Sequence, residues 1–480
     1  MVVAILMSIV LTVLAIPSVA VIQSNGYKVK GVLPLVNTVY FCTLCTLQAI
    51  CVGLAFVKYH YLWIFVCIVI GTVALYYLLE TQTLRYTARA IRLLATIFAI
   101  NWLISWLCPC TFTLSPIVGI AALLVNYPIE QAICGYYLSK ARKKVSKINA
   151  VKIAVTGSFG KTSVKQILCQ LLPNALATPF SYNTPMGLAK FINKTDFRGA
   201  EYVIFEMGAR KKGDIAKLCR LVCPTVGVLT GITAQHINSF KTIDAVIETK
   251  CELINYLGKD DLCVINGFDE IASTCLDVGV CKKILCPNPW QEFKVVSLSL
   301  DGTTFALVDG QSTYQFTSPL FGVGHFHNVA LCVAVALALG QEVSSLQGKI
   351  ALLKPVKHRL EVIRQSGVTI IDDAYNANLT GVRLACSSIA QVNGRKVVIS
   401  QGIVECGKDS NTINTQVGQM LADTFDVVIA CGANANAILS AAGEGKGLYA
   451  KDVTHAVSLV KQFFDGNTIC LFQNDLPKLF

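Results

Sequence analysis

Residues 155–163 read Val-Thr-Gly-Ser-Phe-Gly-Lys-Thr-Ser, between an apolar run from Val151 to Thr156 and a helical pattern opening at Lys161. A strand that enters a helix through a glycine turn commits this part of the chain to an α/β layer. Gly157, Ser158 and Gly160 let the backbone wrap an anion, and the N–H groups of the helix start, as far as Ser163, face it. Lys161 adds a point charge for outer phosphates, and the Thr162 hydroxyl suits a divalent metal. The common phosphate loop asks for glycine at 155, where this chain has Val155. The spacing therefore excludes the usual kinase or GTPase loop and leaves a shorter phosphate cradle.

The rest of the chain is unusual for a nucleotide-binding protein. Hydrophobic residues make up 54%, charged residues 15%, and the mean hydropathy is +0.56. That excess sits in the first third, in five apolar stretches near 2–22, 35–57, 61–79, 93–107 and 113–127. A membrane span needs about 20 apolar residues. The first three qualify, the fourth does if its ends extend, and the fifth is short and holds Pro116. The first lacks the basic start of a signal peptide. Lys28 and Lys30, then Arg85, Arg89 and Arg92, then the run from Lys140 to Lys147 occupy alternate loops. The positive-inside rule then puts the N-terminus outside and everything after the fifth stretch in the cytoplasm. The expectation is a multi-pass membrane protein with membrane lipid as a partner. The net charge of +12 is read as juxtamembrane rather than as a nucleic-acid patch. The 20 cysteines are scattered without a repeated Cys-x-x-Cys pair, which predicts reduced, buried thiols. The one close pair, Cys108 and Cys110, is incidental.

From Val151 the pattern alternates strand and helix. Strands are predicted at 151–156, 202–207, 226–230 and 262–265, and helices at 161–172 and 242–256. Short alternating segments over 293–317 read as inserted hairpins. A second, smaller parallel sheet of dinucleotide-fold type begins at 368–372 and continues through 396–400, 426–430 and 468–472. The predicted organisation is a membrane region over 1–145, a central ATP-binding domain over 146–350 and a Rossmann-like C-terminal domain over 351–480. Residues 474–480 lie near the end expected for that last domain.

Several short motifs follow the loop in order: YNTPMG (182–187), FEMGAR (205–210), TAQHINSF (233–240), ETKCELI (248–254), HN (327–328), HRLEV (358–362) and IDDAYNAN (371–378). With TGSFGKTS (156–163) they resemble the Mur ligases, the ATP-dependent amide-bond-forming enzymes of peptidoglycan synthesis. The likeness extends over about residues 145–480 and favours the members that add D-alanyl-D-alanine to a muramoyl tripeptide.

The resemblance assigns roles that the residues themselves support unequally. Glu206 ends an apolar strand, where an ionised group meets the crevice of a parallel sheet. Without the resemblance, a solvated strand-end carboxylate is as good a reading as a Mg²⁺ ligand shared with Thr162. His236 alone is more often structural, but the family places a metal-binding histidine at its motif. Lys250 alone is best read as an exposed helix lysine. In the resembling enzymes this lysine is carbamylated and supports a second Mg²⁺. Arg359 has the planar fork that suits phosphate or acyl-phosphate oxygens, against an interdomain salt bridge. Asp373 is placed to accept from ribose hydroxyls, with Asp372 the weaker candidate. Asn328 resembles an adenine-contacting asparagine, or else caps a helix. Asn183 resembles a loop asparagine near metal and phosphates, or is a plain turn residue.

The implied reaction is ATP-dependent. A substrate carboxylate takes the γ-phosphate, and an amine displaces phosphate from the acyl carbon. The implied catalytic set is Lys161, His236, Lys250 and Arg359, with ATP and Mg²⁺. The implied partners are a muramoyl peptide, UDP- or lipid-linked, and an amino acid or dipeptide. Phe159, His358, Leu331 and Leu379 depart from the residues usual at their motif positions, and no UDP-binding domain is visible at the front. A polyglutamate-type ligase, a membrane ATPase coupled to transport and a degenerate scaffold are the competing classes. Retention of the chemical residues speaks against the last, and apolar spans without ionisable groups speak against transport.

Overall fold

The computed structural model describes residues 84–107, 115–233, 240, 242–288, 291–365, 367–375, 378–404, 406–443 and 445–473, with isolated positions between Ile5 and Tyr27. The chain divides into two compact units, Met1–Tyr136 and Tyr137–Phe480.

In the second unit, Val151–Thr156 (β1), Ala175–Ala177 (β2), Tyr202–Glu206 (β3), Val226–Leu229 (β4), Leu262–Asn266 (β5) and Lys282–Cys286 (β6) form one sheet in the order β2-β3-β1-β4-β5-β6. All five pairings are parallel. The inner strands carry unbroken buried apolar runs, as a sheet covered on both faces requires. The chain leaves β1 for the edge strand β2, comes back through β3 on the same side, and crosses to β4 on the other. β1 therefore marks the switch point, where a crevice opens at the C-terminal strand ends.

Helix Lys161–Leu171 presents Val164, Ile167, Leu168 and Leu171 to one face, where helix Val323–Ala338 also packs. Helices Pro185–Lys194 and Asp214–Val222 cover the other. Gln291–Ser299 (β7), Gly302–Asp309 (β8) and Ser312–Ser318 (β9) make a three-stranded antiparallel sheet where hairpins were predicted.

The second large sheet contains Glu361–Gln365 (β10), Val368–Asp373 (β11), Arg395–Ser400 (β12), Val427–Cys431 (β13), Gly447–Ala450 (β14) and Thr468–Gln473 (β15). Its order is β10-β11-β15-β12-β13-β14. Only β10 runs antiparallel, as an edge strand. This is the predicted smaller sheet with two edge strands added.

The first unit corrects the membrane expectation. Among the described residues no helix is long and apolar enough to cross a membrane. The fourth apolar stretch lies in helix Ala88–Leu107, which includes Arg89 and Arg92. The fifth lies in helix Ser115–Val145, which runs on through Pro128 and Glu130 to the basic residues 140–144. Glu130 pairs with Arg92 at 2.5 Å and Arg89 at 3.6 Å, and the Asn126 amide donates to the Thr96 hydroxyl at 2.7 Å. These helices thus meet through ionic and polar contacts beside a small apolar cluster of Leu93, Ile97, Val118 and Ala122. The multi-pass location and the lipid partner are withdrawn. The first three stretches lie outside the described residues apart from isolated positions, as does Cys108-Pro-Cys110.

Candidate active site

The parallel register builds the centre of the site. Val155 of β1 stands beside Glu206 of β3, and Thr156 beside Leu229 of β4. The glycine loop and the Glu206 carboxylate therefore emerge together at one sheet edge. Two loop positions require glycine. Gly157 and Gly160 have φ of 152° and 77°, and a Cβ at Gly160 would lie 2.8 Å from Asn328 Oδ1. A Cβ at Gly157 would lie 2.9 Å from the Gly231 carbonyl and collide with Thr230. The segment after β4 holds the loop from behind. Ser158 N–H donates to Gly231 O at 2.7 Å, and the Thr230 hydroxyl donates to Phe159 O. Phe159, unusual at its motif position, fits because residue 231 is glycine, where any Cβ would strike the Phe159 ring.

Lys161 opens its helix and curls back, donating to Gly157 O at 2.7 Å and Ser158 O at 2.8 Å. Burial, only partly offset by Glu206, lowers its pKa to about 8. An ammonium resting on carbonyls at the bottom of a cradle is suited to an incoming polyanion.

Glu206 is buried and accepts from three donors. Thr162 Oγ1 and Lys165 Nζ each donate to Oε2 at 3.0 Å, and Asn183 Nδ2 donates to Oε1 at 3.0 Å. Gly208 admits Asn183, since a Cβ at 208 would lie 2.8 Å from the Asn183 amide carbon. Thr184, one residue on, caps helix Pro185–Lys194 by accepting from Gly187 N–H. Asn183 is thus set between a strand end and a capped helix, and is more than a turn residue.

Lys250 sits on helix Ile243–Tyr256, capped by Thr242, and is buried at 4% exposure. The exposed-lysine reading is overturned. Desolvation, with repulsion from Lys161, pulls its ammonium down to about 7, so a neutral amine is available near neutral pH.

These groups line a cavity of about 720 Å³ that includes Gly157, Ser158, Gly160, Lys161, Thr162, Asn183, Glu206, Lys250 and Arg359. Arg359 reaches it from the segment before β10, donating to Tyr375 O at 3.2 Å with its guanidinium 4.4 Å from the centre of the Tyr375 ring. Its carbonyl meets His325 Nε2 at 2.7 Å.

A smaller cavity next to it, about 90 Å³, is lined by Gly160, Ser163, Asn328, Arg359 and Asp373, with Asn266, His327 and Asn378. Desolvation, eased by Arg359, pushes the Asp373 carboxyl up to about 7. His327 stacks on Phe268 at 4.1 Å, and burial holds its pKa near 4. Asn328 lies in the second turn of a helix capped by Gly322, so the capping reading is excluded. Leu331 is in the apolar core, away from this cavity. Asp372 accepts from His358 at 2.7 Å and from Ala374 N–H, and so serves the backbone turn.

Gly157, Ser158, Gly160, Lys161, Thr162, Ser163, Asn183, Glu206, Lys250, Asn328, Arg359 and Asp373 each line one cavity or the other, whereas the weaker candidate Asp372 lines neither. His236 lies outside the described residues, as do the other positions from 234 to 239. Lys165, Tyr375 and Asn378 were not singled out. Lys165 falls two residues beyond the loop motif, and the other two lie inside IDDAYNAN.

The sequence matches the Mur ligase middle domain over residues 155–336 and the Mur ligase glutamate ligase domain over 358–472, together more than half of the chain. The chain belongs to the Mur ligase family. It is similar to the UDP-N-acetylmuramoyl-tripeptide–D-alanyl-D-alanine ligase of Escherichia coli, 26% identical over 350 residues, covering 68% of this chain and 76% of that one. The enzyme of the same description from Mycobacterium leprae is 30% identical over 311 residues, covering 57% and 59%. Among solved structures, the MurF ligase of Thermotoga maritima in complex with ADP aligns with a TM-score of 0.63 at 25% identity, covering 71% of this chain and 80% of that one. MurF from Acinetobacter baumannii aligns at 0.66 with 23% identity, a likeness of fold, covering 72% and 77%. This Mur ligase is an ATP-dependent, ADP-forming ligase. Its two matched regions supply the two sets of groups that meet at Arg359 and Gly160.

Proposed function

We propose that this Mur ligase joins D-alanyl-D-alanine to UDP-N-acetylmuramoyl-tripeptide in peptidoglycan precursor synthesis. The observation that carries the reading is the meeting of Lys161, Glu206, Lys250 and Arg359 on one cavity, in a chain similar over 350 residues to a ligase of that description. In this reading the central domain extends over 146–350 and the C-terminal domain over 351–480.

The residues present fit the groups the family uses. The glycine cradle and Lys161 receive the phosphates of ATP, while Asn328 and Asp373 face its adenosine. Among the described residues no cluster of three histidine, cysteine or acidic side chains stands ready for a metal. Mg²⁺ does not need one, because it keeps several waters and takes one or two carboxylates along with phosphate oxygens. Glu206 supplies such a carboxylate and Thr162 a hydroxyl beside it, with His236 as a further ligand. Lys250 is buried with a depressed pKa, which suits the neutral amine that reacts with CO₂ to give a carbamate. Bound Mg²⁺ supplies charge neutralisation at the phosphates.

The chain's own groups position the reaction. The donor carboxylate attacks the γ-phosphorus, ADP leaves, and an acyl phosphate forms. The amine then attacks the acyl carbon, and the tetrahedral intermediate expels phosphate and loses a proton. Lys161 and Arg359 face the oxygens that gain charge in these steps, where fixed donors in a water-poor site are most effective.

The test is phosphate release from ATP and Mg²⁺ by the full chain, supplied with UDP-muramoyl-tripeptide and D-alanyl-D-alanine. Release that requires both substrates and disappears in Lys161→Ala is expected. Release indifferent to both would remove the assignment.

A further inference from the structure

Among the described residues, Lys165 is one of the largest side chains that are almost wholly enclosed, at 1% exposure. It lies one turn beyond Lys161 on the same helix, among Val164, Ile167 and Leu168, which form the apolar core. A charge is tolerated at such a position only when paired and hydrogen-bonded. Here the partner is Glu206, with Nζ 3.0 Å from Oε2 and both side chains almost fully enclosed. Lys165 also donates to the carbonyl of Phe180.

Two features separate it from the groups already described. It lines neither cavity, so it stands behind Glu206 and out of reach of nucleotide or substrate. Its second contact holds a segment in an unusual conformation. Phe180 has φ of 47° and is 79% exposed as a residue, so its own side chain contributes little burial to fix that turn. The same segment delivers Asn183 to Glu206 Oε1. One ammonium therefore ties down the carboxylate and the loop that bears the carboxylate's other partner.

We propose that Lys165 is a positioning residue. By occupying Oε2 together with Thr162, it fixes Glu206 so that Oε1, which accepts from Asn183 alone, keeps a lone pair for the divalent cation of a metal–nucleotide complex. At the same time it anchors the 178–184 segment that carries Asn183. The inference rests on the reading of Glu206 as a metal ligand.

The test is calorimetric titration of ADP into the full chain, with and without Mg²⁺, for the wild type, Glu206→Gln, Lys165→Met and Lys165→Gln, with melting followed for each. In the wild type Mg²⁺ is expected to tighten ADP binding. Glu206→Gln is expected to lose that tightening. Lys165→Met is expected to cut it by about tenfold or more, the usual scale for a residue that orients a metal ligand. Metal-free ADP affinity is expected to stay unchanged, which loss of structure would not allow. Lys165→Gln keeps a polar group in the buried space and stands in should the Met variant fold poorly. Its shorter arm cannot serve both acceptors, and a partial loss of the tightening, smaller than in the Met variant, is expected. Full tightening retained in Glu206→Gln would remove the metal reading itself. Tightening lost in Glu206→Gln but intact in a folded Lys165 variant would overturn the role of Lys165 alone.

Discussion

The two large sheets of the second unit both present strand ends to the same site, but they equip it differently. The middle sheet supplies groups whose geometry is complete without a ligand. Glu206 holds donors from three residues, the loop is laced to Thr230 and Gly231, and Lys161 rests on its own carbonyls. The C-terminal sheet supplies Asp373, with its carboxyl pushed up to about 7, and Arg359, bound to a backbone carbonyl and lying over a tyrosine ring. In the proposed reading, one region is a preorganised cradle for phosphate and metal. The other contributes groups whose electrostatics are improved by what binds. In such a division, loss of a middle-sheet group damages binding and chemistry together, whereas loss of a C-terminal group acts mainly on turnover.

The largest effect is expected at Lys161. Lys161→Ala should lower kcat/KM about a thousandfold and weaken ADP binding as well, measured by phosphate release and calorimetry. Arg359→Ala should lower kcat about a hundredfold with ADP affinity nearly unchanged. Equal damage to ADP binding in both variants would break the distinction between the sheets.

Lys250 sharpens it through pH. Its ammonium is pulled down to about 7, so the neutral amine fraction grows from about pH 6 to about pH 8. Stimulation of turnover by bicarbonate should rise across that interval and vanish in Lys250→Arg. The same shift sets a stability trend in the unliganded protein. The unfolded lysine holds its proton up to its ordinary value while the folded one has lost it above about 7. The unfolded state therefore binds more protons in between, and stability rises with pH there. Asp373 acts in the opposite sense at lower pH. Its folded carboxyl keeps a proton up to about 7, so stability falls as pH rises toward that value. Urea melts at intervals of pH would show both limbs.

The smallest effect is expected at His358, which has φ of 61° and contacts Asp372 at 2.7 Å. His358→Gly relieves the backbone and forfeits a half-exposed contact. The net change in stability should stay within about 1 kcal/mol by chemical denaturation.

The sequence made the middle strands legible because they are unbroken apolar runs, and the glycine loop because two of its positions tolerate no Cβ. Four strands escaped it. β2 and β14 have three and four residues, β6 begins with two lysines, and β10 has only two apolar residues and none fully buried. Such segments become strands through their neighbours rather than through their own pattern. The burial of Lys250 and Lys165 was equally invisible, since a lysine in a helical pattern reads as solvent-facing until its neighbours are placed. The membrane reading failed for a related reason. Hydropathy averaged over residues 93–107 and 113–127 passes over Arg89, Arg92 and Glu130 just beyond them, and these pair across the two helices.

The central claim is that one site assembled from both sheets activates a carboxylate by phosphorylation. It is tested most directly by labelling the donor carboxylate of UDP-muramoyl-tripeptide with a heavy oxygen isotope and examining the released phosphate by mass spectrometry. Transfer of one labelled oxygen to phosphate per peptide bond formed is the predicted result. Unlabelled phosphate, with the label kept in the peptide or lost to water, would contradict the account.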